Sequence, residues 1–390
     1  MNDDRKLRVG IIGVGNIGSA HARSIYEGKI SGMCLCALCD TDAAVRQSLS
    51  EKYPNVTVFE SSDALIESGT VEAVIIATPH YYHPPIAIKA FGHGLHVLTE
   101  KPAGVDLDSA KAMCEAAKKS GKTFGVMFNQ RANKLFSEAR RIVSSGELGE
   151  LKRVVWIITN WYRKQCYYDS GTWRATWAGE GGGVLLNQAP HNLDLWQWIC
   201  GMPTSVRAEC SVAKYHHIEV EDEACIFAKY KNGATAVFIT STGDYPGTNR
   251  LEITGTMGKL VLEGGKLIHH KLAMDEREYR LSADNVKNPV QIFETLDEPY
   301  QGHAAILENF ASAVLYGTPL LAPGEDALCE LEISNAAYLS AWKNERISLP
   351  FDCDEFAAKL EKRKAASSFK SADKEHKLSD EYNARWNTNW

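Results

Sequence analysis

Two things are scarce in this 390-residue chain: net charge and long apolar runs. With 43 Lys and Arg against 49 Asp and Glu, the formal net charge is -6 and no basic stripe stands out. Nucleic acid and anionic membranes are therefore not expected partners. No apolar stretch reaches transmembrane length, and the opening MNDDRK lacks the apolar core of a secretory signal. The expectation is a cytoplasmic protein without a membrane anchor. Cysteine is not scarce, at ten, but its placement argues against a metal or a disulfide framework. Cys34 and Cys36 of a predicted buried strand face one way and Cys39 the other, which suits reduced packing thiols better than a ligand set. The pairs His216-His217 and His269-His270 lie next to or within strands, where neighbouring side chains point to opposite faces. No metal site is expected.

What is present begins with a loop. The apolar run LRVGII is followed at once by GVGNIG, residues 13–18, with Gly13, Gly15 and Gly18 in G-x-G-x-x-G spacing around Asn16 and Ile17. A strand, a tight glycine turn and a helix N-terminus together cradle a pyrophosphate. The next apolar run, MCLCALC, ends in Asp40, 22 residues after Gly18. A carboxylate there binds both ribose hydroxyls and repels a 2′-phosphate, which favours NAD over NADP. The apolar runs VEAVIIATP, LHVLT and TFGVMFNQR alternate with helical patterns, so the first 130 residues read as a doubly wound parallel sheet. Residues just beyond such strands line the ligand crevice. They are Thr78, Pro79, Tyr81 and His83 after one strand, Glu100 and Lys101 after the next, and Asn129 and Gln130 after the last. A lysine at that edge is placed to touch the reacting end of a nicotinamide.

The second half follows a different pattern. An amphipathic helix stops at Gly146 and the strand LKRVVWIITNW follows. From about residue 205, strands alternate with short turns at Lys231-Asn232-Gly233, Met257-Gly258 and Gly264-Gly265. This predicts an open, mainly antiparallel sheet with helices on one face, and a homo-oligomer, dimer or tetramer, formed through that sheet. Helices resume at 303–316 and 325–342. The expected domains are 1–130 for the dinucleotide, 131–363 for substrate and oligomerisation, and a tail at 364–390 that two tryptophans, Trp386 and Trp390, suggest is docked.

GEGGGVLLNQAPHNLDLWQW carries the second group of candidates. As one helix, it would place Asn187, His191 and Asp194 at i, i+4 and i+7 on one face; alternatively, Pro190 starts a helix and leaves His191 at its N-terminal end. Histidine is the natural base for an alcohol proton, and Asp194 could hold the ring's tautomer or cap the helix. Six of the nine tryptophans fall in 156–198. In the segment WYRKQCYYDSGTWR, Tyr162 and Trp173 offer faces to a sugar ring, and Arg163 and Arg174 offer donors to its hydroxyls. Trp196 and Trp198 read as core. No Lys or Arg cluster calls for a phosphate, so the expected substrate is a neutral carbohydrate.

With GVGNIG and Asp40, ATPHYYH, GLHVLTEKP and GGGVLLNQAPHNLD in view, residues 6–350 resemble the Gfo/Idh/MocA family, the glucose–fructose oxidoreductase and inositol dehydrogenase group. The resemblance implies a Rossmann domain, a second α/β domain with an oligomer-forming open sheet, and NAD(P)-dependent oxidation of a sugar or cyclitol hydroxyl. It implies that Lys101 polarises the hydroxyl and that His191 is the catalytic histidine. Many members carry aspartate four residues before that histidine, where this chain has Asn187, which can position substrate but cannot take a proton. The expected reaction is oxidation of a ring hydroxyl, most narrowly at C3 of a glucosyl group. Two other readings stay open: an NAD-using glycosidase that works by oxidation and elimination, and a catalytically silent sensor.

Overall fold

The computed structural model describes residues 5–299 and 302–368. Among these, 5–129 with 302–331 form one compact unit, and 130–299 with 332–368 form the other. The expectation for Trp386 and Trp390 lies outside the described residues.

The first unit opens with β1 (Leu7–Ile12), α1 (Asn16–Tyr26), β2 (Met33–Cys39), α2 (Ala43–Lys52), β3 (Thr57–Phe59), α3 (Ser62–Glu67) and β4 (Ala73–Ile76). It continues through α4 (His83–Gly92), β5 (His96–Thr99), α5 (Leu107–Ser120) and β6 (Phe124–Val126). The strands pair in parallel in the order β3-β2-β1-β4-β5-β6, so every C-terminal strand end lies at one edge. β4 is buried at all four positions, as its unbroken AVII run requires of a strand covered on both faces. Helices start where Asp and Ser can cap: Asp42 Oδ1 accepts from Ala44 N at 2.7 Å, and Asp106 Oδ1 from Ser109 N at 2.8 Å. β2 is the strand expected, with one difference. One face of its N-terminal half is uncovered, so Cys34 is exposed and Cys36 half-buried, and only Cys39 is in the core. All ten cysteines carry free thiols.

The second unit begins with α6 (Lys134–Ser144), β7 (Leu151–Ile158), α7 (Gln165–Asp169), α8 (Val184–Asn187) and α9 (Pro190–Cys200). Then come β8 (Ser205–Val212), β9 (Glu221–Lys229), β10 (Thr235–Ser241), β11 (Asn249–Gly255), β12 (Gly258–Glu263), β13 (Lys266–Leu272), α10 (Glu276–Arg280) and β14 (Val290–Leu296). The nine-stranded sheet runs β14-β13-β12-β11-β7-β10-β9-β8-β15, antiparallel except for the parallel pair of β7 and β10. The last strand, β15, is the short pair Ile347–Ser348. The three predicted turns join β9 to β10, β11 to β12 and β12 to β13. Trp196 and Phe238 stack at 5.8 Å, Trp156 meets Phe238 edge-on at 6.0 Å, and Trp196 Nε1 donates to Tyr230 at 2.7 Å. Trp196 is therefore core, as its sequence context implied. Edge strand β14 leaves Val290, Ile292, Phe293 and Leu296 exposed.

The remaining elements are α11 (Gly302–Tyr316), α12 (Ala327–Lys343), β15 (Ile347–Ser348) and α13 (Cys353–Ala366). α11 belongs to the first unit, although the sequence pattern placed it in the second domain. Its apolar face, with Ile306, Leu307 and Phe310 buried, packs back onto the parallel sheet, and Val126 N donates to Ala322 O at 3.1 Å. Nothing local in the sequence marks a helix that returns to a sheet finished far upstream.

Candidate active site

The first unit's candidates gather at the C-terminal edge of its sheet. Gly18 is packed so tightly that a Cβ there would lie 2.0 Å from Gly13 O, whereas a Cβ at exposed Gly15 would meet nothing within 4 Å. The loop is closed where helix meets strand and open where a phosphate would approach. Gly15 caps α1 without a side-chain bond, and the first turn holds no acid, which leaves the positive end of the helix for an anion. Asn16 is exposed, Ile17 half-buried and Asp40 half-buried. Asp40 holds the loop from behind, Oδ2 accepting from Val14 N at 2.9 Å and Oδ1 from Asp42 N at 3.0 Å. Just after β4, the Thr78 hydroxyl is buried with no hydrogen-bond partner. An orphaned donor, an open glycine and an uncapped helix start fit a dinucleotide. Pro79 and Tyr81 lie half-buried beside them, Asn129 is buried at the far end of the edge, and Gln130, where the second unit begins, is also buried.

His83 requires a correction. Expected against the cofactor, it is wholly buried, with Nδ1 2.8 Å from Pro102 O and Nε2 2.7 Å from Thr78 O. It ties Thr78, two residues beyond β4, to Pro102, the residue after Lys101. Burial lowers its pKa, against the pull of the two carbonyls.

Glu100 also turns inward. Its Oε1 is 2.8 Å from His21 Nε2 on α1, and its Oε2 accepts from Lys101 N at 3.3 Å. Burial pushes the carboxyl up, but the hydrogen bond and charge of His21, with His303 and Lys101, outweigh it and hold Glu100 at about 2. His303 at the start of α11 has its ring 5.7 Å from that of His21 and its Nδ1 3.3 Å from Asn129 Nδ2; burial first, then the charge of His21, hold it at about 4. A fixed anion behind half-buried Lys101 is thus built from residues on two helices and a strand end. The sequence reading missed His21 and His303, and only the fold brings them together.

In the second unit, α8 and α9 are separate helices, and Pro190 is the first residue of α9. Asn187 ends the first and His191 lies in the first turn of the second, both half-buried. The single-helix alternative is therefore replaced by the proline-start one. Asp194, offered above as the holder of the His191 tautomer or as a cap, is fully buried and forms a bidentate pair with Arg131, at 2.8 and 2.6 Å, while His191 Nδ1 is buried without a hydrogen bond. Trp198 covers the guanidinium groups of Arg131 and Arg140 at 5.2 and 4.5 Å.

The glycine run before α8 is held by Glu221, which the sequence reading also missed. Its buried carboxylate accepts from Gly183 N at 3.0 Å, Leu185 N at 2.9 Å and Tyr338 OH at 2.7 Å. A Cβ at Gly183 would lie 1.9 Å from Glu221 O, so only glycine permits this approach. With neutral donors alone around it, burial pushes Glu221 up to about 7.

The aromatic segment is folded rather than loose. Arg163 is buried and donates to Trp161 O at 2.9 Å and Tyr162 O at 3.2 Å, so it serves the backbone. Trp161 and Trp177 are buried, while Trp173 and Arg174 are half-buried and Tyr162 is exposed. The Arg174 guanidinium lies 4.7 Å from the rings of both Tyr167 and Trp173. Glu180, another residue not singled out beforehand, accepts from Asn187 Nδ2. An acid directly ahead of a glycine run was the available signal.

Sequence and fold comparisons agree with this arrangement. Residues 7–128 match the model of an oxidoreductase family with an NAD-binding Rossmann fold, and residues 136–261 match the Gfo/Idh/MocA C-terminal domain. Over 340 residues the chain is 25% identical to the scyllo-inositol 2-dehydrogenase (NAD(+)) of Bacillus subtilis (strain 168), covering 86% of this chain and 94% of that protein. It is 29% identical to the D-glucoside 3-dehydrogenase of Escherichia coli (strain K12), over 50% of this chain and 55% of that one. Its fold is similar to that of the WlbA dehydrogenase from Bordetella pertussis in complex with NADH and UDP-GlcNAcA. There the TM-score is 0.75 at 26% identity, covering 89% of this chain and all of that one. The fold and the nucleotide loop define an NAD-binding oxidoreductase. The chain belongs to the Gfo/Idh/MocA family.

Proposed function

We propose that this enzyme oxidises a ring hydroxyl of a neutral sugar, glycoside or cyclitol to the ketone, with C3 of a glucosyl group as the narrowest choice. The observation that carries the reading is the placement of Lys101. It follows β5 at the sheet edge where β1 ends in the open glycine loop and Thr78 follows β4. The activities named for the inositol and glucoside dehydrogenases among its relatives support the substrate class. NAD, held by Gly13–Gly18, Asp40 and Thr78, supplies the acceptor for the hydride leaving the carbinol carbon. Lys101 donates to the hydroxyl oxygen and stabilises the charge that grows there, while the Glu100 carboxylate balances the lysine from behind. His191 takes the hydroxyl proton. Tyr162, Trp173 and Arg174 offer ring faces and donors to the rest of the sugar. The exposed apolar row on β14 supports self-association through the second sheet.

The test is turnover of a panel of inositols, glucose and glucosides, followed by NADH absorbance and by analysis of the sugar product. Lys101→Ala and His191→Ala should each lower kcat by about 10²-fold or more with NAD affinity retained. A loss of tenfold or less, about 1.4 kcal/mol of barrier, would sink the assigned roles. Released aglycone without NADH would point instead to oxidation and elimination.

A further inference from the structure

Resting on that reading, we infer that Glu180 locks the Asn187 side chain so that it meets the substrate solely as a hydrogen-bond acceptor, and that the pair selects a sugar hydroxyl able to donate. Glu180 is 1% exposed. One carboxylate oxygen accepts from Asn187 Nδ2 and the other from Ala175 N at 2.5 Å. Ala175 is itself fully buried in the left-handed region, at φ 55°, and its carbonyl accepts from Glu219 N at 3.1 Å. Turning the Glu180 carboxylate away would strand a buried N–H, so its orientation is set by the loop that carries it. Backbone bonds from Glu180 N and Gly181 N to Thr176 O, at 2.9 and 3.1 Å, fix that loop in turn.

Asn187 Nδ2 donates its second proton to Tyr167 OH at 3.3 Å, and that oxygen also accepts from Arg174 Nη1 at 2.9 Å. Charge reaches the pair from Glu180 itself, from Arg174 on the phenol oxygen, and from Arg163 with its guanidinium 5.1 Å from the Tyr167 ring. A flipped amide would set its carbonyl oxygen against a carboxylate, two acceptors in contact, which excludes the flip. Both amide hydrogens are therefore committed to protein, and the remaining polar atom, Oδ1, can only accept. The motif that seemed to lack a carboxylate has one, placed seven residues earlier and acting through an amide. Glu180 is a positioning residue; Asn187 is the group that reads the sugar.

The test is a double-mutant cycle in the full chain. Asn187→Asp sets two carboxylates face to face; it should lower the melting temperature by about 3 °C or more at pH 8 but not at pH 5, and lower kcat/KM at least about tenfold, mainly through KM. Adding Glu180→Gln restores a donor to the pair; N187D/E180Q should regain the melting temperature and recover kcat/KM to within about threefold of the wild type. A melting temperature for N187D that is flat with pH, or no rescue by E180Q, would overturn the proposal. So would equal use of a substrate whose neighbouring hydroxyl is replaced by fluorine, which accepts but does not donate. If the wild type turns over no sugar, the proposed function fails and hydroxyl selection falls with it. The melting arm then still decides the coupling of Glu180 to Asn187.

Discussion

Each unit buries a carboxylate completely, and the two environments act on it in opposite directions. Glu100 in the first has His21 at 2.8 Å and is held at about 2. Glu221 in the second has only backbone N–H groups and the Tyr338 hydroxyl, and burial raises it to about 7. Burial penalises both charges, and the difference lies in whether a cationic partner answers it. The edge that receives the nucleotide therefore keeps a permanent anion behind Lys101. The glycine run that leads into α8, and so to Asn187, hangs from an acid that burial pushes up to about 7.

Three changes probe that contrast. The largest effect should come from Asp194→Ala, which strands the buried Arg131 guanidinium in the second unit. A loss of about 3–5 kcal/mol is expected in chemical denaturation, and a loss under 1 kcal/mol would mean that the pair is not the buried partnership described. Next is Glu221→Gln. The folded wild type holds a proton that the unfolded chain releases between about pH 4.5 and 7, so this group makes stability fall as pH rises through that window, by about 3 kcal/mol in all. The glutamine variant should lose that decline. Glu100 works in the other direction, adding stability above about pH 4.5 that is lost as pH falls toward 2, and E221Q should leave that acid limb in place. An unchanged neutral-range slope would show that Glu221 does not titrate there. The smallest effect belongs to Thr78→Val. Removing a hydroxyl without a protein partner should leave stability within about 0.5 kcal/mol, while NAD binding measured by calorimetry weakens about two- to tenfold. Unchanged affinity would remove Thr78 from the cofactor site.

Much of the first unit was legible because its signals are local: strand, glycine loop and acid follow one another within some thirty residues. The hairpin turns of the second sheet were legible for the same reason. What escaped was whatever the fold assembles from a distance. His21, Glu100 and His303 lie on three elements, and Glu221 is a β9 residue reaching a glycine run far upstream. Asp194 misled because helical spacing places it near His191 but says nothing about Arg131. His83 misled because adjacency to a strand end does not tell whether a ring faces the crevice or the interior.

The return of α11 to the first sheet has a consequence for synthesis. A ribosome completes the six parallel strands by residue 126, yet the helix that packs onto them follows only after eight of the nine strands of the second sheet have been made. Roughly two hundred residues must be added first, about 10–40 s at ordinary elongation rates. For that interval the nascent nucleotide domain carries an uncovered apolar face. The later unit, contiguous in the chain up to residue 299, has all but one of its strands before the earlier one is whole.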